Sequence, residues 1–177
     1  MWIALCVLTS AAHPENRVSA YDVESAYLSN FGKFVRFAPS DAEGGRHSFD
    51  ICIVGEDPLG ATLDQLTGSE QLDGKPVRVV RVKSAVEARN CAIAYFSATE
   101  ENRLGSELEA LRGHAVLTVS DAGEFLKLGG MIQLIVAENH VRFAVNLDAV
   151  HSAHLSLSSE LLRVAVSVNG EPPTGVR

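Results

Sequence analysis

Residues 113–162 read GHAVLTVSDAGEFLKLGGMIQLIVAENHVRFAVNLDAVHSAHLSLSSELL, and the reading of this stretch decides the fold. The apolar run at 115–119 has the length of a buried strand. Asp121 and Glu124 stand three apart, as in a capping box, and predict a helix that holds Phe125 and Leu128. Gly129 and Gly130 end that helix. Residues 131–136 and 140–146 read as two strands joined by Ala137, Glu138 and Asn139. The join is too short for a crossover, so the pair forms an antiparallel hairpin. In its second strand Val141, Phe143 and Val145 alternate with Arg142 and Ala144, which buries one face. Residues 148–162 read as helical or turn-like, with Leu161, Leu162 and Val164 docking on the sheet. The stretch offers no nucleophile beside a base, no metal cluster and no phosphate loop, which favours binding over catalysis.

Upstream, the pattern alternates between strands and helices. Val23, Tyr27, Phe31 and Phe34 recur at helical spacing and predict a helix over 19–37, with Glu24, Lys33 and Arg36 off its apolar face. Pro39 forces its end, and a polar loop runs to His47. Residues 49–54 form the first core strand, with Ile51 and Ile53 alternating against Asp50 and Cys52. Asp57 is a good N-cap and Pro58 a good first helical residue, opening a short helix lined by Leu59, Leu63 and Leu66. Residues 77–82 are a β-branched strand after an Asp73-Gly74 turn, 84–89 a short helix, and 91–96 a strand apolar enough to be buried on both faces. Leu104, Leu108 and Leu111 stripe the next helix. The class is therefore α/β: three layers, a mainly parallel sheet of about six strands flanked by helices, and an antiparallel C-terminal edge hairpin.

The chain has 177 residues and a net charge of −7, enough for one domain with a proper core over residues 19–168. Its basic residues are scattered, which disfavours nucleic acid as a partner. Trp2–Leu8 is a short apolar run followed by Thr9, Ser10, Ala11 and Ala12, like the core and cleavage site of a secretory signal that lacks its basic start. Residues 1–18 thus read as a signal-like remnant; the alternative is a buried first strand. Residues 169–177, with paired prolines, read as a loose tail. Export removes Cys6 and leaves Cys52 and Cys91 as an even pair, whose default in an oxidising compartment is a disulfide. In the cytosol the same two are small core residues. They fall on the first and third strands of the alternating unit, which are neighbours in a flavodoxin-like order and close enough to bond.

Other chemistry is thin. Gly55, Glu56, Asp57 and Gly60 form a turn between a strand and a helix N-terminus, a candidate ligand pocket, but their spacing matches neither the dinucleotide nor the P-loop fingerprint. His151 and His154 are three apart with no third ligand at an obvious spacing, so no metal is implied. Ser158-Ser159 lacks a glycine elbow. Asp121 with Glu124 as paired catalytic carboxylates is outweighed by the cap reading. No cofactor is indicated.

A resemblance covers most of the chain. AYLSNFGKFV at 26–35, ICIVGEDPLG at 51–60, LTVSD at 117–121, GGMI at 129–132, RFAVNL at 142–147 and LSSELL at 157–162 follow in order as in the YfiR family of periplasmic regulators, and Cys91 stands where the family's partner cysteine is expected. Phe37-Ala38-Pro39 replaces the family's usual Trp-Pro, and no cysteine follows Cys91 to supply the second pair some members carry. The resemblance implies a non-enzymatic periplasmic protein that represses a membrane-bound diguanylate cyclase. It would bind the cyclase's periplasmic sensor domain and keep cyclic di-GMP and biofilm formation low. An outer-membrane lipoprotein that captures the repressor, and a homodimer, are further implied partners. Phe37, Leu147, Leu155, Leu157 and Leu161 are the candidate contact residues. A periplasmic small-molecule sensor using the Gly55–Gly60 turn is the alternative.

Overall fold

The computed structural model describes residues 19–37, 47–137 and 140–169. The signal-like segment, most of the loop before His47, the Glu138-Asn139 join and residues 170–177 lie outside the described residues.

Helix α1 spans Ala20–Phe31. Ser19 opens it: its hydroxyl accepts from the Tyr21 amide, while Asp22 reaches back to the Ser19 amide at 3.0 Å. The helix is shorter than its apolar spacing predicts. It stops at Gly32, and after one turn the chain becomes strand β1, Val35–Phe37. The cause is tertiary. β1 pairs antiparallel with β9, Leu155–Leu157, in a two-stranded ribbon that an isolated spacing rule does not see.

The main sheet contains β2 (Phe49–Val54), β3 (Gln71–Leu72), β4 (Lys75–Val82), β5 (Ile93–Phe96), β6 (Leu117–Ser120), β7 (Ile132–Ala137), β8 (His140–Val145) and β10 (Ser167–Val168). Its order is β10-β8-β7-β6-β5-β2-β4-β3. The inner five, β4-β2-β5-β6-β7, are all parallel and reproduce the flavodoxin-like order. β7 and β8 form the antiparallel hairpin, with Ile132 opposite Val145. Two-residue strands cap the sheet on either side: β3 is folded back on β4 through Asp73 and Gly74, both at positive φ, and β10 lies parallel to β8.

Alternation along the strands sends side chains into two cores. Ile51, Ile53, Ile93, Tyr95, Leu117 and Val119 face α1, α2 (Gly60–Thr67) and the ribbon. Cys52, Val54, Ala94, Phe96 and Val116 face the opposite layer, where α3 (Leu104–Ala110) follows a 3-10 turn over Ala98–Arg103. Burying a side chain such as Leu28 or Phe31 contributes on the order of 1.5–3 kcal/mol. In the second core Cys52 and Cys91 form a disulfide with Cα atoms 6.1 Å apart.

Two expected helices are absent. Residues 84–89 form successive turns, in which Glu87 and Ala88 donate three residues back, to Ser84 and Ala85. Residues 123–129 likewise turn without building an α-helix. Asp121 does not cap them; its carboxylate accepts from the Ala98 amide at 2.6 Å, and the Ser120 hydroxyl takes the Ala122 amide instead. Gly130 still closes this segment, because a Cβ there would run into the Phe125 ring. Residues 147–164 divide into α4 (Leu147–Ser152), the ribbon strand β9 and α5 (Ser159–Val164). Leu161 is buried, as expected, but Val164 points to solvent and is 67 % exposed.

Candidate functional site

Helix α1 has two working faces. Glu24, Leu28 and Phe31, at i, i+4 and i+7, form its buried line. Val23 and Tyr27, read from spacing as core, are half-buried and wall a groove instead. The opposite wall is Leu161 and Val164 of α5, and Phe31 and Phe143 form the floor. The groove measures about 430 Å³ and is predominantly apolar. Tyr27 stacks on Phe31 and meets Phe143 edge-on with ring centroids 5.6 Å apart, while Phe31 and Phe143 are 5.4 Å apart. The Tyr27 hydroxyl donates to the Val141 carbonyl at 3.1 Å, fixing α1 against β8. An apolar cleft of this size, with the polar groups Asn30 and Glu160 among its lining residues, has the make-up of a docking surface.

The five sequence-derived contact residues separate into two groups here. Phe37, Leu155 and Leu157 converge on the ribbon, Phe37 opposite Leu155 and Leu157 opposite Val35. Phe37 also packs edge-on against Phe49 at 6.1 Å, and Leu155 is fully in the core. Leu161 is the member of the set that reaches the groove, and it does so while 4 % exposed. Leu147 starts α4 and packs on the same core from outside. The exposed part of the groove, Val164 and the Val23–Tyr27 line, was not singled out from sequence as surface, because a helical apolar stripe reads as core until its neighbour is known.

At the strand ends, the Gly55–Gly60 turn is already engaged by the chain itself. Gly55 has φ +80°, and the Glu100 side chain lies against it where any Cβ would stand. Glu100 Oε1 accepts from the Glu56 amide at 3.3 Å. Asp57 Oδ1 accepts from the amides of Leu59 and Gly60, both at 2.9 Å, so it caps the turn one step before α2 rather than α2 itself. Its Oδ2 binds Arg81, which also holds Asp64 through two hydrogen bonds. Arg81 keeps Asp64 below the usual carboxylate range, and the two carboxylates hold Arg81 above its own. His151 lies on α4 and His154 just after it at positive φ, both exposed. Among the described residues no group of three metal-ligating side chains occurs.

A third feature was missed. Glu24, 1 % exposed, lies on the core line of α1 beneath the groove wall. Its Oε2 accepts from the hydroxyl of Tyr95, which is fully buried on β5, at 3.1 Å. Burial, and then the negative charge of Asp121, push the Glu24 carboxyl up to about 7, against the opposing effect of the Tyr95 hydrogen bond. Burial and the same two carboxylates push the Tyr95 phenol well above its ordinary range. The signal was available in the sequence: Glu24 precedes Leu28 and Phe31 by four and seven residues, which puts a carboxylate in line with the core.

No helix among the described residues is long and apolar enough to cross a membrane. A solved structure, described as a conserved domain protein from Vibrio cholerae O1 biovar El Tor strain N16961, is similar in fold, with a TM-score of 0.58 at 10 % identity. The match covers 85 % of this chain and 60 % of that one, so this chain corresponds to little more than half of that protein. The family model described as YfiR/HmsC-like matches residues 21–166, which takes in α1, both cores, the disulfide and the groove. The chain belongs to this YfiR/HmsC-like family of periplasmic regulators.

Proposed function

We propose that this protein represses a membrane-bound diguanylate cyclase from the periplasm, by binding the cyclase's periplasmic sensor domain and so lowering cyclic di-GMP and biofilm formation. Family membership supports a regulator that works through a protein partner. The observation that carries the reading for this chain is the apolar groove between α1 and α5, ringed by fixed aromatic side chains. Repression by binding requires only that the repressor prefer one conformation of the cyclase. A groove on a disulfide-closed domain meets that need with little ordering cost. Capture by an outer-membrane lipoprotein, and self-association into a dimer, belong to the same proposal as ways of releasing or presenting this surface. No catalytic step is part of it.

The small-molecule alternative draws less support. Its pocket, the Gly55–Gly60 turn, has the Glu56 amide and the Arg81 guanidinium bound to the chain's own Glu100, Asp57 and Asp64. The deciding experiment is cellular cyclic di-GMP after deletion of the gene, and again after restoration with a functional signal peptide. A rise on deletion that restoration reverses is the expected result. An unchanged level across several growth conditions overturns simple repression and returns the weight to ligand binding.

A further inference from the structure

We infer that Glu24 makes the seating of α1 on the sheet proton-dependent, so that the apolar groove walled by α1 is held most firmly in mildly acidic medium. The inference about α1 stands on the fold alone; its bearing on partner binding rests on the repressor reading above.

Glu24 sits at the interface between α1 and the sheet, and among the described residues each element around it either adds negative charge or offers it no cation. From β5 comes the Tyr95 hydroxyl. From the turn after β6 comes Asp121, itself fixed by the Ala98 amide. On α1, Tyr21 lies one turn earlier and feels both carboxylates. Helix α2 gives the Thr62 hydroxyl to Asp22 and turns its own Asp64 to Arg81. Strand β8 meets α1 through the Val141 carbonyl, and its Arg142 is exposed to solvent. Ionising Glu24 therefore buries a second negative charge beside Asp121, with the Tyr95 hydroxyl, which Asp121 also engages, as its neutral donor among the described residues.

The sign follows from the raised carboxyl. An unfolded chain releases this proton near the ordinary value of 4.5, whereas the folded protein keeps it until about 7. The contribution to stability is complete below the lower value, declines as the pH rises through the upper one, and is constant above it. Val23 is adjacent to Glu24, and Tyr27 follows one turn later, so whatever loosens Glu24 loosens the groove wall.

The test uses the isolated, disulfide-bonded protein without a partner. The side-chain carboxyl carbon of Glu24 is titrated by NMR, and amide hydrogen exchange protection across α1 is compared at about pH 5.5 and about pH 8. Expected are a midpoint close to 7 and a fall in α1 protection of roughly tenfold or more on raising the pH, absent in Glu24→Gln. A midpoint in the ordinary carboxylate range overturns the inference, as does an equal loss of protection in Glu24→Gln. The titration uses the wild-type chain, so it decides the matter even if that variant fails to fold. Failure here leaves the cyclic di-GMP experiment untouched, and failure there leaves this one untouched.

Discussion

The carboxylate of Glu100 lies against Gly55, at the crevice between β2 and β5 where the strand order of the sheet reverses. In open parallel sheets this crevice is where ligands are bound, and here a side chain of the same chain takes the position an anion would occupy.

The occupancy makes a prediction about anions. Inorganic phosphate should leave the amide resonances of Gly55 and Glu56 unmoved in the wild-type protein, up to millimolar concentration. In Glu100→Ala the same titration should shift the Glu56 amide, because that donor loses its Glu100 acceptor, while the Gly55 amide stays on the Val82 carbonyl. Shifts of equal size in both proteins would show that Glu100 does not guard the turn.

The Cys52–Cys91 bond closes a loop with a sequence separation of 39. On the chain-entropy account a loop of this length stabilises the fold by about 4 kcal/mol. Urea unfolding with and without reductant should differ by up to that amount, with the reduced protein less stable and the double variant Cys52→Ala, Cys91→Ala behaving like it. Coincident curves would mean that the packed strands β2 and β5 need no tether. Labelling of both thiols by an alkylating reagent without reductant would show that the pair is not oxidised at all.

Much of this fold was legible in the sequence where one strand or one turn sufficed. Residues 49–54 form a strand with the predicted bounds, the Asp73-Gly74 turn is a hairpin turn, and the 131–146 segment pairs as an antiparallel hairpin. Errors occurred where a segment's state depends on a partner far along the chain. Val35 to Phe37 falls inside the helix that the spacing predicts, yet it is drawn into a strand by Leu155–Leu157, more than a hundred residues away. Asp121 and Glu124 have the spacing of a capping box, yet Asp121 reaches Ala98 instead. The groove was hidden for the same reason: Val23 and Tyr27 are apolar at helical spacing whether they face a core or a cleft.

Asp121 offers a second handle on Glu24. Removing its charge in Asp121→Asn lowers the Glu24 carboxyl from about 7 toward the ordinary range, since Asp121 is the second-largest cause of the rise after burial. The midpoint of the pH-dependent loss of stability should move to lower pH, and its amplitude should shrink. Stability measured at a series of pH values checks this. An unmoved midpoint would leave burial as the whole cause.

The groove itself yields the sharpest test of function, because its outer wall is exposed. Val164 is 67 % exposed, so Val164→Glu should leave stability within about 0.5 kcal/mol of wild type. It puts a charge on the apolar wall opposite Val23 and Tyr27, where a docking partner must then bury it unpaired. Leu161→Ala is the contrasting variant: Leu161 is buried, so the loss should be on the order of 2–4 kcal/mol of stability. If the groove docks the partner, Val164→Glu loses repression of cyclic di-GMP with an unchanged unfolding midpoint. If Val164→Glu represses like wild type, the contact surface lies elsewhere, and the β1–β9 ribbon carrying Phe37 and Leu157 becomes the next surface to alter.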